Sequence, residues 1–143
     1  MNVVAILKTK GRAVTTARPD TPVRDVAAKL ANKRIGAIVI VGDAGRVAGI
    51  ISERDLVRVI AEQGPDALLL PASEVMTRSV TTCQESNTLD ELMELMTTGR
   101  FRHIPGGPDG ALVGWVSIGD VVKYHVADMA LEVTAMRSYL TTG

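Results

Sequence analysis

A serine followed three residues later by an aspartate occurs twice in this chain, each time after a glycine and two apolar residues. The two copies are Gly49–Asp55 (GIISERD) and Gly114–Asp120 (GWVSIGD). A serine hydroxyl beside the unpaired N–H groups of a helix N-terminus favours a bound phosphate. A carboxylate one turn into that helix accepts two hydrogen bonds from a sugar diol. Both motifs are therefore candidate binding sites for a phosphorylated sugar.

The same spacing also has a purely structural explanation. In a capping box, the acid at the third helical position accepts a hydrogen bond from the backbone N–H of the capping serine. Such boxes are common, so a single copy would favour this explanation. The motif occurs twice, each time where a predicted strand ends, and this repetition favours binding sites.

Both motifs belong to a duplication that covers most of the chain. Val14–Thr16 (VTT) returns as Val80–Thr82, an offset of 66 residues, whereas Gly49 returns as Gly114, an offset of 65, so one residue is lost in the hairpin between them. A regular twofold repeat predicts two similar units about a pseudo-twofold axis, each completing the core of the other. A site at their junction should then occur in a pair.

Each repeat is predicted to run strand, helix, strand, turn, strand, helix. In the first repeat, Asp20–Pro22 supplies a capping residue and a proline at the first helical position, before apolar residues at helical spacing over 23–31. Apolar runs at 37–41 and 47–51 flank a tight turn and predict a hairpin. Ser52 then caps a helix that we expect to end near Glu62.

The second repeat follows the same order, with Asn87 as the predicted cap of its first helix and Ser117 as the cap of its last. Residues 2–8 predict an opening helical turn or two. Near the C-terminus, apolar residues at spacings of three and four predict a helix with an apolar stripe, formed by Val126, Met129, Ala130, Val133, Met136 and Leu140. The stripe either packs back on its own domain or forms a subunit interface, and the sequence leaves both open.

Size and composition narrow the possible classes of protein. A chain of 143 residues fits one compact folding unit. Aromatic residues are only 3% of the chain and 16 basic residues balance 16 acidic ones, which argues against nucleic-acid and membrane partners. The single cysteine, Cys83, excludes an internal disulfide and a cysteine-based zinc cluster. Met1–Leu7 lacks a signal-peptide pattern and no long apolar run occurs, so we expect a cytoplasmic protein.

Two tandem units that end in Gly-apolar-apolar-Ser-x-x-Asp, with Arg100–Pro105 (RFRHIP) before the second hairpin, resemble the cystathionine-β-synthase (CBS) domain pair. The resemblance covers about Lys8 to Val126. It implies an α/β (α+β) fold of two β-α-β-β-α repeats, paired through their sheets into a disc with two clefts. We assign repeat 1 to residues 8–62, repeat 2 to 73–127, and flanking helical segments to 1–7 and 128–143.

The resemblance also implies what the clefts bind and which residues line them. The expected ligands contain adenosine: AMP, ADP, ATP, NAD(H) or S-adenosylmethionine. In cleft one the implied nucleotide-binding residues are Thr15, Ile35, Gly36, Ala37, Arg102, His103, Trp115, Ser117 and Asp120. In cleft two they are Met76, Thr81, Phe101, Ile50, Ser52, Arg54 and Asp55.

The two clefts are not expected to be equivalent. Arg102 and His103 are the phosphate-facing residues implied for cleft one, whereas Gly36 and Ala37 stand at the matching positions of cleft two. Neither His103 nor His125 has a second ligand at metal-binding spacing, so we expect no metal site.

These observations favour a regulatory module that binds an adenine nucleotide and signals energy or redox state to an unidentified protein, as a homodimer. The alternative is a structural dimerisation module with vestigial or empty clefts, which the missing basic pair and the apolar final helix favour. The chain has no G-x-S-x-G elbow and no Walker phosphate-binding loop, so we expect neither catalysis nor a catalytic cofactor.

Overall fold

Over the residues that the structure describes, the fold is a mixed α/β arrangement of five α-helices and two small sheets, which confirms the predicted class. The structure is a computed structural model that describes residues 1–11, 13–99, 103–106, 112 and 114–142, with the backbone alone at 99, 103–106 and 142. Its elements in chain order are α1 (Val3–Lys10), β1 (Thr16–Ala17), α2 (Val23–Lys33), β2 (Ala37–Val41), β3 (Val47–Ser52), α3 (Glu53–Gln63), α4 (Leu89–Gly99), β4 (His103–Gly106), β5 (Gly114–Ser117) and α5 (Ile118–Thr142).

Each repeat contains the predicted antiparallel hairpin. In the first sheet, β2 pairs antiparallel with β3 and parallel with β1. In the second sheet, β4 pairs antiparallel with β5. The opening strand of the first repeat is shorter than predicted, since β1 spans only two residues. The predicted opening strand of the second repeat is absent, since residues 80–82 form no strand in the described structure. The N–H of Val80 bonds instead to the carbonyl of Arg78 at 3.0 Å, which forms a tight turn there.

The described residues form two hydrophobic clusters, one for each repeat. The first packs α2 and β2 against β3. It is completed by residues of the linker, the segment 64–77 that joins α3 to the second repeat and includes the first residues of that repeat: Ala67, Ala72, Val75 and Met76. The second packs α4 against β5 and α5, and residues of α1, Val3, Ile6 and Leu7, complete it. The segment that precedes each repeat in sequence therefore fills the core of the other repeat, as the duplication predicts.

The glycines that open the two Ser-x-x-Asp motifs lie where these exchanged segments pack. A Cβ placed on Gly49 would be 2.7 Å from the Met76 sulfur and 2.8 Å from the Thr77 carbonyl oxygen. A Cβ placed on Gly114 would be 2.8 Å from a methyl carbon of Leu7. The absence of a side chain lets the linker lie directly on β3 and lets α1 lie directly on β5.

The predicted start of α2 is wrong by one position. Pro22 is the residue that precedes the helix, not its first helical residue, and it makes no side-chain cap. The Thr21 hydroxyl instead accepts the backbone N–H of Arg18 at 3.0 Å, so it closes a turn in the preceding loop.

The predicted cap of α4 is also one residue early. The Thr88 hydroxyl accepts the backbone N–H of Glu91 at 3.1 Å, and the Glu91 carboxylate accepts the N–H of Thr88 at 3.3 Å. These bonds form a capping box centred on Thr88. Asn87 accepts the N–H of Gln84 at 2.7 Å, because its short side chain reaches back into the turn before the helix.

Helix α5 is a single helix of 25 residues whose second half leaves the core. Val121 and Tyr124 are buried against the second cluster. The stripe residues are exposed, and the fractions for the larger ones run from 48% at Val133 to 74% at Leu140. Within the described residues the stripe therefore does not pack back on its own domain. Among all the described residues, no helix has both the length and the apolar character that crossing a bilayer requires.

Candidate functional site

The first Ser-x-x-Asp motif forms a complete capping box where β3 passes directly into α3. Asp55 Oδ2 accepts the backbone N–H of Ser52 at 2.8 Å and its hydroxyl at 3.1 Å. The Ser52 hydroxyl oxygen accepts the backbone N–H of Asp55 at 3.3 Å. The second carboxylate oxygen, Oδ1, accepts a hydrogen bond from Arg58 at 3.0 Å. Asp55 is 6% exposed, so both of its oxygens are engaged and largely covered.

The second motif forms the same box where β5 passes into α5, with a different cation. Asp120 Oδ2 accepts the N–H of Ser117 at 2.9 Å, and the Ser117 hydroxyl oxygen accepts the N–H of Asp120 at 3.1 Å. The Nζ of Lys10 lies 2.6 Å from the same Oδ2 and 3.0 Å from the carbonyl oxygen of Trp115. This lysine stands at the end of α1, 110 residues earlier in the chain.

These contacts set the charge state of Asp120. Burial alone would raise its pKa. The hydrogen bonds from Lys10 and from the Ser117 N–H, with the positive charge of Lys10, outweigh that effect and hold the pKa of Asp120 below its ordinary value. The carboxylate is therefore ionised at neutral pH and remains an acceptor.

Capping and ligand binding do not exclude each other at Asp120. A carboxylate has two oxygens with about four lone-pair sites, and the capping box uses only one of the oxygens, Oδ2. Among the described residues, no hydrogen bond reaches Oδ1 of Asp120. One oxygen of Asp120 is thus available to a ligand, whereas Asp55 has neither oxygen free of a partner.

Several residues predicted for cleft two lie together at the end of β3. Ile50 and Thr77 exchange backbone hydrogen bonds of 3.0 and 2.9 Å, which holds Met76 over Gly49. The Gly36 carbonyl accepts the N–H of Glu53 at 2.9 Å.

Ala37 pairs with Ser52 in the β2–β3 ladder, so the start of β2 lies beside the N-terminus of α3. Arg54 is exposed on that helix. Thr81 is exposed in the loop before α4, and Phe101 lies outside the described residues.

The residues predicted for cleft one fall into two groups. Trp115, Ser117 and Asp120 follow one another along β5 and α5, and the backbone of His103 pairs with Ser117 in the β4–β5 ladder. Ile35, Gly36 and Ala37 belong to the first repeat, and Thr15 directly precedes β1. Among the described residues, no hydrogen bond joins these two groups. Arg102 lies outside the described residues.

Sequence reasoning missed the two cations that contact the motif carboxylates. Arg58 follows Asp55 by three residues on α3, a spacing that predicts an ion pair on a helix and could have been used. Lys10 had no such signal, since nothing in the local sequence connects it to Asp120. Across the described residues, no cluster of three or more histidine, cysteine, aspartate or glutamate side chains could hold a metal ion.

Comparison with known proteins identifies the family. The sequence model of the CBS domain matches twice, over residues 10–62 and 72–127. The mitochondrial CBS domain-containing protein CBSX3 of Arabidopsis thaliana is 33% identical over 96% of this chain and 71% of its own length.

Solved structures agree with this match. The CBS-domain containing protein ATU1752 from Agrobacterium tumefaciens is 46% identical, with a TM-score of 0.82 over 87% of this chain and 99% of that one. The CBS domain protein PAE2072 from Pyrobaculum aerophilum, solved in complex with AMP, is 26% identical, with a TM-score of 0.73 over 84% of this chain and 89% of that one. This chain therefore belongs to the CBS-domain family and carries two copies of the domain.

Proposed function

We propose that this protein is a regulatory module that binds an adenine nucleotide and passes the occupancy of its clefts to a partner protein. The observation that carries the proposal is Asp120: an ionised, half-buried carboxylate at a helix N-terminus with one oxygen that no described residue occupies. The AMP complex of the Pyrobaculum aerophilum relative supports adenosine as the recognised group.

Each part of the ligand has a chemical counterpart in cleft one. The Asp120 carboxylate accepts hydrogen bonds from the ribose hydroxyls. The N-terminus of α5, with the Ser117 hydroxyl, favours the phosphate. Trp115, half-buried on β5, offers its ring to the base. AMP, ATP and NAD(H) share these three groups, so each is a candidate ligand.

Cleft two has the same arrangement in a more closed state. Asp55 has a hydrogen-bond partner on each oxygen, Ser52 on Oδ2 and Arg58 on Oδ1, and it is almost fully buried, so a ribose reaches it less easily than it reaches Asp120. We therefore expect the Asp120 cleft to bind nucleotide more tightly than the Asp55 cleft.

Calorimetric titration with AMP, ATP and NADH tests this function. Asp120→Ala should weaken binding by about 1.5–3 kcal/mol, the range for hydrogen bonds to a charged group. Asp128→Ala is the matched control, because Asp128 lies two turns further along the same helix and outside the motif. Asp55→Ala should have the smaller effect. If none of the three nucleotides binds at millimolar concentration, the proposal is wrong.

The second candidate function is a structural dimerisation module. It is supported by the two capping boxes, which give each motif a role in folding without a ligand. A ligand that binds only the folded form must raise the melting temperature. An unchanged melting temperature at saturating nucleotide would favour this candidate over the first.

We further propose that the protein is a homodimer in which α5 pairs with α5 of a second copy. Six of its exposed apolar residues alternate in spacing between four and three, the heptad pattern of a coiled-coil seam: Val122, Val126, Met129, Val133, Met136 and Leu140. Glu132 and Arg137 flank the seam five residues apart. In a parallel pair this spacing places each glutamate beside the arginine of the other copy.

Sedimentation equilibrium of two variants tests the dimer. Met129→Glu places a charge on the seam and should yield monomers. Ala135→Glu adds the same charge on an exposed position away from the seam and should leave the dimer intact. A dimer that survives Met129→Glu at the wild-type dissociation constant would refute this interface.

A further inference from the structure

We propose that Lys10 sets the nucleotide affinity of cleft one by competing with the ribose for Asp120. The inference rests on the proposed function and concerns the regulation of that same site. The Lys10–Asp120 contact joins two elements far apart in sequence, and the exposed fractions of its two side chains are 24% and 20%. It is therefore a partly buried ion pair, stronger than an exposed surface pair and still reached by water.

The hydrogen bonds at Asp120 explain why the two partners compete. Oδ2 already accepts one hydrogen bond from Lys10 and one from the N–H of Ser117, which fills its two lone pairs. A vicinal diol held by both carboxylate oxygens needs one lone pair on each oxygen. One of the two present donors must therefore leave when the ribose binds.

Lys10 is the donor that leaves at lower cost. The Ser117 N–H belongs to the helix cap, and its release would leave a part-buried backbone donor without a partner. The Lys10 ammonium is at the surface, where water replaces its partner after release. The capping box then persists in the occupied cleft, and the ribose hydroxyls take the place of Lys10.

Release of Lys10 changes the attachment of α1. The helix is held on the second repeat by the contact of Leu7 with Gly114, by the backbone bond from Val3 N–H to the carbonyl of Asn87, and at its last turn by Lys10. Nucleotide binding removes the last of these and leaves the others in place. The final turn of α1 should therefore loosen when cleft one is occupied.

Among the described residues, cleft two has no equivalent connection to another element. Its carboxylate pairs with Arg58, which stands on the same helix three residues later. Displacement of Arg58 frees a side chain and detaches no other element. Occupancy of cleft one alone is therefore communicated to the N-terminal helix.

Calorimetry with AMP on Lys10→Met tests the competition, since methionine keeps the length of the side chain and removes the charge. We expect AMP to bind about 3- to 10-fold more tightly than to the wild type, the range for loss of a partly buried ion pair. Lys8→Met, an exposed lysine on the same helix, is the control and should bind as the wild type does. Adding Asp120→Ala to Lys10→Met should abolish the gain.

The outcomes separate this inference from the function on which it rests. If wild type and Lys10→Met bind AMP equally, or the variant binds it more weakly, the competition is refuted and the nucleotide site stands. If neither protein binds AMP, ATP or NADH, both proposals are wrong.

Amide hydrogen exchange gives an independent readout. The Gly11 amide, bonded to the carbonyl of Leu7 at 2.8 Å, should exchange faster when AMP is bound. An unchanged exchange rate with bound AMP would contradict the loosening of α1.

Discussion

Alanine at the two motif glycines should destabilise the protein to different degrees, although the glycines occupy the same position in the two repeats. At Gly49 the new methyl meets the Met76 sulfur at 2.7 Å and the Thr77 carbonyl oxygen at 2.8 Å. That carbonyl also accepts the N–H of Ile50 at 3.0 Å, so it cannot move away without straining the pairing of the linker with β3. We expect Gly49→Ala to lower the free energy of unfolding by about 2–3 kcal/mol, the upper part of the range for overpacking.

At Gly114 the obstacle is the end of a side chain. The new methyl meets the two methyl carbons of Leu7 at 2.8 and 3.0 Å, and rotation of that side chain relieves part of the clash. Since Leu7 is 1% exposed in a closely packed core, the relief is incomplete, and we expect a loss of about 1–2 kcal/mol.

Urea unfolding of the two variants measures this difference directly. Gly42→Ala is the control, because a methyl there meets Ala48 at an ordinary 3.8 Å, and its effect should stay within about 0.5 kcal/mol. Equal losses at Gly49 and Gly114, or a larger loss at Gly114, would refute the reasoning that backbone obstacles cost more than side-chain ends.

Three further predictions concern stability, capping and reactivity. Because the pKa of Asp120 is lowered in the folded protein, its ion pair stabilises the fold above the unfolded pKa of about 3.9, and this stabilisation is lost as pH falls through the folded value. Lys10→Met should therefore unfold at lower urea than wild type near pH 7, and the gap should narrow in strong acid, where only the bond from Lys10 to the Trp115 carbonyl remains; a gap of the same size in acid would contradict the ion pair. Thr88→Ala should cost about 1 kcal/mol in urea unfolding and Thr88→Ser should restore most of it, whereas equal losses in both would exclude the Glu91 capping box. Burial raises the pKa of the Cys83 thiol to about 11, so a thiol reagent at neutral pH should label it only after unfolding; rapid labelling of the native protein would show that the site is open.

The elements that depend on periodicity and repetition could be predicted from the sequence. The apolar runs around the Asp43–Gly45 turn predicted the β2–β3 hairpin, and the repeat extended this prediction to β4 and β5. The same duplication predicted that each unit completes the core of the other, but not which segments do so. These features are encoded many times over in the spacing of apolar residues, so a few local exceptions do not alter them.

Features that depend on a single contact could not be predicted. Neighbouring residues at 87 and 88 can both cap a helix, and the choice of Thr88 depends on how the preceding turn positions Asn87. The Lys10–Asp120 pair depends on where α1 packs, and this is fixed by the three-dimensional exchange of the segments. The sequence therefore predicted the two carboxylates as candidate site residues and missed the cations that contact them.

The binding of AMP and of its 2′-deoxy analogue to wild type and Asp120→Ala tests the central claim most directly. If the Asp120 carboxylate holds the ribose diol, the wild type should prefer AMP by about tenfold or more, the equivalent of one hydrogen bond to a charged group, and Asp120→Ala should bind the two nucleotides alike. Equal affinity of the wild type for both nucleotides would contradict the claim and leave Asp120 as a helix cap alone.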